Sequence, residues 1–87
     1  MPYRVLVAPA ARREVKKLPR TVQALIIEVL RDLASDPRPT GCKQLSGPEG
    51  FYRVRSGDYR AVYTVEDSAL LVTVVKVAHR RDVYQDM

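Results

Sequence analysis

The spacing of apolar and polar positions changes character along this chain of 87 residues. At the start, "YRVLV", Tyr3 to Val7, alternates in the β-branched and aromatic manner of a strand. Pro9 then falls where a first helical turn tolerates proline. Ala11, Val15 and Leu18 recur at i, i+4, i+7 with Arg12, Arg13, Lys16 and Lys17 between them, which predicts a short basic amphipathic helix. Leu18-Pro19 ends it, because the residue before a proline is pushed out of the α region, and Pro19 opens the next helix. From Pro19 to about Ser35, Val22, Leu25, Ile26, Val29, Leu30 and Leu33 fall at i, i+3, i+4, i+7, i+8, i+11, the strongest helical period in the chain.

"SDPRPTG", Ser35 to Gly41, breaks that period, and "CKQLSGPEG" reads as a loop with turn residues at Gly47, Pro48 and Gly50. Three strands follow, at about Phe51 to Ser56, Tyr59 to Val65 and Ala69 to Val77, joined by turns at Gly57-Asp58 and around Asp67-Ser68. The expected fold is α+β, in the order β-α-α-β-β-β. A two-helix layer packs on a single, mainly antiparallel four-stranded sheet, and residues 1–87 form one domain. One sheet face meets the helices and the other is left for solvent.

With Gly57-Asp58 as a two-residue hairpin loop, Ser56 pairs with Tyr59, Arg55 with Arg60 and Arg53 with Val62. Arg53, Arg55 and Arg60 then share the face turned away from Tyr52, Val54, Ala61 and Tyr63. Directly opposed cations destabilise a strand pair unless something anionic lies over them. A three-residue loop would instead turn Arg60 to the other face, so the register decides whether three arginines converge or two. His79, Arg80, Arg81 and Tyr84 come just after the last strand. If that strand runs beside Tyr59 to Val65, they emerge near Arg60.

Charge sharpens this picture. Fifteen Lys and Arg against ten Asp and Glu leave +5, which favours anionic partners. Arginine, the type suited to forked contacts with phosphate, supplies most of the cations. Such a set suits RNA cleavage by attack of the 2′-hydroxyl, which needs a base, an acid and cations over the phosphorane. His79 has the titration of a base, and Tyr84 would serve as base or stack on a nucleobase. There is no Walker loop, no carboxylate cluster for a metal and no defensible Ser/His/Asp set, so no metal or other cofactor is expected. The lone Cys42 forms no intramolecular disulfide. No run is long and apolar enough for a membrane span, and a cytoplasmic protein is expected.

"LP" between the helices, "KQLSG" before the hairpin, "YRVRSGDYRAVY" within it and "VVKVAHRRDVY" at the end occur in an order that resembles the RelE branch of the RelE/ParE toxin superfamily. The resemblance implies a type II toxin that enters the A site of the 70S ribosome and cleaves mRNA without metal, neutralised by a cognate antitoxin. It assigns phosphate binding to Arg53, Arg55 and Arg60, and proton transfer and base stacking to Arg80 and Tyr84. The gap before Tyr84 is shorter than in the best-known pattern, so Arg80 or Arg81 is the matching arginine. Arginine replaces the usual lysine at Arg53 and Arg55, which argues against proton transfer by that pair. Arg81 is otherwise counted with Arg12, Arg13, Lys16, Lys17 and Arg20 as a grip on RNA phosphates. Two rivals keep the fold: a ParE-like inhibitor of DNA gyrase, and a non-catalytic module that blocks translation by occupancy.

Overall fold

The computed structural model describes residues 2–45 and 50–81. Its elements are β1 (Arg4–Val7), α1 (Pro9–Lys16), α2 (Arg20–Asp32), β2 (Lys43–Gln44), β3 (Phe51–Ser56), β4 (Tyr59–Glu66), a 3-10 turn (Asp67–Ala69) and β5 (Leu71–His79). They form two helices on one sheet of order β1-β5-β4-β3-β2. β1 runs parallel to β5, and the other pairs are antiparallel. The sheet therefore has five strands rather than the expected four. The addition is β2, whose two residues pair with Tyr52 and Arg53 and are too few to show a period in sequence.

β5 also starts and ends later than expected. Asp67–Ala69 closes a 3-10 turn with Leu70 at φ +51, so pairing begins at Leu71 and continues through His79. Within β5 the register slips: Val62 pairs with Lys76 while Tyr63 pairs with Val74, leaving Val75 as the extra residue of a bulge. That shift lets Val74 and Val77, three apart, both point into the core.

The core lies between the helices and one sheet face. Ala11 from α1 and Ile26, Leu30 and Leu33 near and along α2 meet Val54, Ala61, Tyr63, Val72, Val74 and Val77. Tyr63 is fully buried, and its hydroxyl donates to the Pro37 carbonyl at 2.7 Å, holding the segment after α2 onto the sheet. Burial raises the pKa of this phenol, with Cys42 adding to the shift.

β1 covers β5 only as far as Val74, with the Ala8 N–H continuing the ladder onto the Val74 carbonyl. Beyond that point a side chain takes over. Glu14 of α1 accepts the Val77 N–H at 2.8 Å through Oε1, and its Oε2 lies 3.4 Å from the Lys76 ammonium. At the opposite end of the sheet, Arg38 makes a two-pronged contact with Asp67 at 2.8 and 3.1 Å. Tyr3 and Tyr52 complete this tie through their hydroxyls. Arg38, and then Tyr3, hold the Asp67 carboxyl below its usual pKa.

Candidate active site

The hairpin register is the one predicted from a two-residue loop. Arg55 pairs with Arg60, Arg53 with Val62, and Ser56 with Tyr59, with Gly57 at φ +60 in the turn. Tyr52, Val54, Ala61 and Tyr63 belong to the core side. Alternation therefore puts Arg53, Arg55 and Arg60 together on the other face.

Arg60 is the centre of this group. The residue is only 9% exposed, and among the described residues no carboxylate forms an ion pair with it, which is unusual for a cation. Its Nη1 donates to the carbonyls of Gly57 at 3.1 Å and Tyr59 at 3.2 Å, while its Nε is buried without a hydrogen-bond partner. Burial lowers its pKa first, and the guanidiniums of Arg53, Arg55 and Arg80 lower it further against a smaller opposing effect of Asp58. Arginine remains a cation throughout the neutral range, so the shift marks first the burial of this cation and then the crowding of positive charge around it.

Arg80 joins from the end of β5. Its backbone N–H donates to the Asp58 carbonyl at 2.7 Å, tying the chain after the strand to the hairpin turn. Its Nε stands 3.9 Å from an Asp58 carboxylate oxygen, an exposed and therefore weak ion pair. Arg80 is thus placed where it was expected. The backbone tie that sets it there could not be read from the sequence.

His79 is placed differently from the expectation. It is the last residue of β5, paired with Tyr59, whereas Arg60 pairs with the preceding Ala78. Adjacent strand residues point to opposite faces, so His79 sits on the Tyr59 side, edge-on to that ring with centroids 5.4 Å apart. Its Nδ1 accepts the Arg81 N–H at 3.3 Å. Extension of the strand by two residues past Val77 is the reason: it fixed His79 within the alternation instead of leaving it on a loose end.

Arg81 is exposed beyond the strand, and Tyr84 lies outside the described residues. Arg12, Arg13, Lys16, Lys17 and Arg20 are all exposed, but they sit in the helix layer and do not join the arginines on the far side of the sheet. Sequence reasoning missed Lys43. On β2 it pairs directly with Arg53 and so shares its face. The only hint was its place in "KQLSG", ahead of the hairpin.

The arrangement is suited to binding an anion. Among the described residues the cluster holds four arginines and Lys43, and no group of His, Cys, Asp or Glu is placed to hold a metal ion. Its chemistry is that of a preorganised set of N–H donors and positive charge, the means by which developing negative charge on phosphate is stabilised.

A second surface is mainly apolar, with Arg12, Lys16 and Gln23 at its margin. Between β1, α1 and α2 lies a groove of about 450 Å³ lined by Val5, Val7, Val15, Ile27 and Leu30, with Leu6 exposed beside it. β1 is an outer strand of the sheet, so this groove runs along an open edge. Among the described residues, no helix is long and apolar enough to cross a membrane.

Comparison with known proteins agrees with the fold. A family model described as the ParE toxin of the type II toxin-antitoxin system parDE matches residues 5–84. Toxin RelG of Mycobacterium tuberculosis is 34% identical over 86 residues, covering 98% of this chain and 99% of RelG. Among solved structures, the RelBE2 toxin-antitoxin complex of M. tuberculosis contains a chain that is 34% identical, superimposes with a TM-score of 0.80, and is covered completely by 92% of this one. The archaeal RelE-RelB complex of Pyrococcus horikoshii gives a TM-score of 0.83 at 26% identity, over 95% of this chain and 100% of that one. A two-helix layer on a five-stranded sheet, an arginine cluster on the face turned away from the helices, and these likenesses over nearly the whole chain lead to one assignment: the protein belongs to the RelE/ParE superfamily of type II toxin-antitoxin toxins.

Proposed function

We propose that this toxin cleaves mRNA in the ribosomal A site and that a cognate antitoxin neutralises it. The observation that carries the reading is Arg60, a buried cation whose Nε lacks a partner and on which the charges of Arg53, Arg55 and Arg80 outweigh that of Asp58. A phosphate is the ligand that answers both deficits, since it accepts forked hydrogen bonds and removes the repulsion.

In this reading the RNA's own 2′-hydroxyl attacks the adjacent phosphorus. Arg53, Arg55 and Arg60 hold the phosphate and stabilise the charge that grows on its equatorial oxygens. Arg80, tied to the hairpin turn, faces the same phosphate, and Tyr84 handles a proton or stacks on a base. His79, on the Tyr59 side, has no part at the phosphorus. The cations of α1 and Arg20, being in the helix layer, are a separate surface for ribosomal RNA phosphates. The antitoxin reading is supported by the M. tuberculosis and P. horikoshii relatives, which were solved as complexes, and by the apolar groove along β1, which fits an amphipathic segment.

The test is to incubate the purified toxin with mRNA, once free and once seated in a 70S ribosome, and to map the new ends, with Arg60→Met and Tyr84→Ala alongside. Cuts that need the ribosome and fade in both variants are expected. Because the matched family model is named for ParE, inhibition of DNA gyrase is the second reading. Intact transcripts together with blocked supercoiling would select it.

A further inference from the structure

The hairpin turn puts a carboxylate beside the arginine cluster. Asp58 follows Gly57 in the two-residue loop between β3 and β4, and its backbone carbonyl accepts the Arg80 N–H at 2.7 Å. Its carboxylate reaches the same residue a second time: Oδ1 stands 3.9 Å from Arg80 Nε. That separation is too long for a hydrogen bond, so Asp58 attracts the guanidinium without occupying one of its N–H groups. The charge of Asp58 also extends to Arg60, where it opposes the effects of Arg53, Arg55 and Arg80. The turn itself does not need an acid at this position. Gly57, not Asp58, takes the left-handed backbone, at φ +60, and asparagine serves such a loop as well as aspartate does.

We propose that Asp58 is the resident counter-ion of Arg80, holding its guanidinium at the hairpin turn while the site is empty and releasing it to the phosphate of a bound RNA. The strengths of the two contacts favour that exchange. Both side chains of the ion pair are exposed, so the pair is weak and screened by salt, whereas a phosphate offers Arg80 forked, charge-assisted hydrogen bonds. The backbone tie through the Asp58 carbonyl stays in place throughout, so only the arginine side chain has to turn. This role rests on the RNA-cleaving reading above, in which Arg80 faces that phosphate. Asp58 touches no reacting atom and is a positioning residue. Its charge opposes binding in the ground and transition states alike, so its removal changes KM rather than kcat.

The experiment measures binding of wild type, Asp58→Asn, Arg80→Ala and the double variant to 70S ribosomes whose message carries 2′-deoxynucleotides in the A-site codon, which leaves no hydroxyl to attack. Cleavage of the unmodified message by wild type and Asp58→Asn is followed alongside. At low ionic strength Asp58→Asn should bind about threefold more tightly than wild type, the scale of an exposed ion pair, and the gain should fade as salt is added. In the Arg80→Ala background the same substitution should gain about 1.5-fold or less, because only its influence on the other cations remains. In cleavage, Asp58→Asn should lower KM about threefold with kcat held, and Asp58→Glu, which restores the charge, should return KM to the wild-type value. The counter-ion role is overturned if Asp58→Asn binds no more tightly than wild type, or if its gain is the same with and without Arg80. A wild type that leaves the unmodified message intact would instead refute the ribonuclease reading, and this role would fall with it.

Discussion

Replacing Arg60 with methionine separates what the arginine does for the fold from what it does for an anion. Arg60 as a whole residue is nine-tenths buried, its Nε has no partner, and Arg55 stands directly opposite. A buried N–H left unpaired costs roughly 1–3 kcal/mol, and a directly opposed like-charge pair roughly 0.2–1 kcal/mol. Methionine removes both while keeping an unbranched stem of similar reach. Against this, the hydrogen bonds to the Gly57 and Tyr59 carbonyls are lost, at about 0.5–1.5 kcal/mol each. At their midpoints these terms leave Arg60→Met about 0.6 kcal/mol more stable than wild type, roughly 2–5 °C in Tm for a domain of this size.

The assay is a thermal melt of both proteins at low and at physiological ionic strength, beside their cleavage rates. Wild type should gain Tm as salt screens the cluster, and the variant should gain less. Cleavage by the variant should fall roughly a hundredfold or more, as when a preorganised donor to a developing oxyanion is removed. A variant that is less stable by more than about 2 kcal/mol, or that shares the wild-type salt response, would refute the reasoning. Arg60 would then be a brace for the hairpin, and its lost activity would no longer locate the site.

Glu14→Ala should lower stability by about 1–3 kcal/mol in denaturant unfolding, because the Val77 N–H loses its acceptor, whereas Glu14→Gln keeps an oxygen there and should lose less. Tyr63→Phe should cost a similar 1–3 kcal/mol by orphaning the Pro37 carbonyl, with no change in the denaturant slope. The Asp67 carboxyl has a depressed pKa in the folded state, so its contribution is fully present above the pKa of the unfolded chain and is lost as pH falls through the folded value. The difference in Tm between wild type and Asp67→Asn should accordingly be flat at neutral pH and close in acid. A difference that persists unchanged through the acid range would show that the Arg38–Asp67 contact contributes no charge-dependent stability.

The helices and the hairpin were legible because each rests on a local rule. The i, i+3, i+4 spacing from Val22 to Leu33 allows only a helix, and Gly57-Asp58 between alternating strands fixes the register that brings Arg55 against Arg60. What escaped the sequence is set by contacts distant along the chain. β2 exists only because Lys43 and Gln44 find Arg53 and Tyr52 across a loop. The true start of β5 depends on Leu70 adopting a left-handed backbone, and its bulge on which valines reach the core. Those two shifts decide that His79 lies on the Tyr59 side, away from Arg60, an error of one residue in phase with a large consequence for chemistry.

The same geometry links the site to the stability of the whole molecule. A domain of this size has a net stability of about 5–15 kcal/mol, so an unpaired buried N–H and the opposed Arg55–Arg60 pair remove an appreciable part of it. An anion that fills the cluster restores that part, and by linkage it must raise the melting temperature in proportion to its occupancy of the folded state. Two polyanions that differ only in whether they reach the cluster, such as an RNA with a charged or a neutralised phosphate, should therefore shift the melt of wild type differently and that of Arg60→Met alike. The comparison needs neither ribosome nor reaction. It locates the phosphate by the stability it returns, and that stability comes from the residues whose repulsion first marked the face.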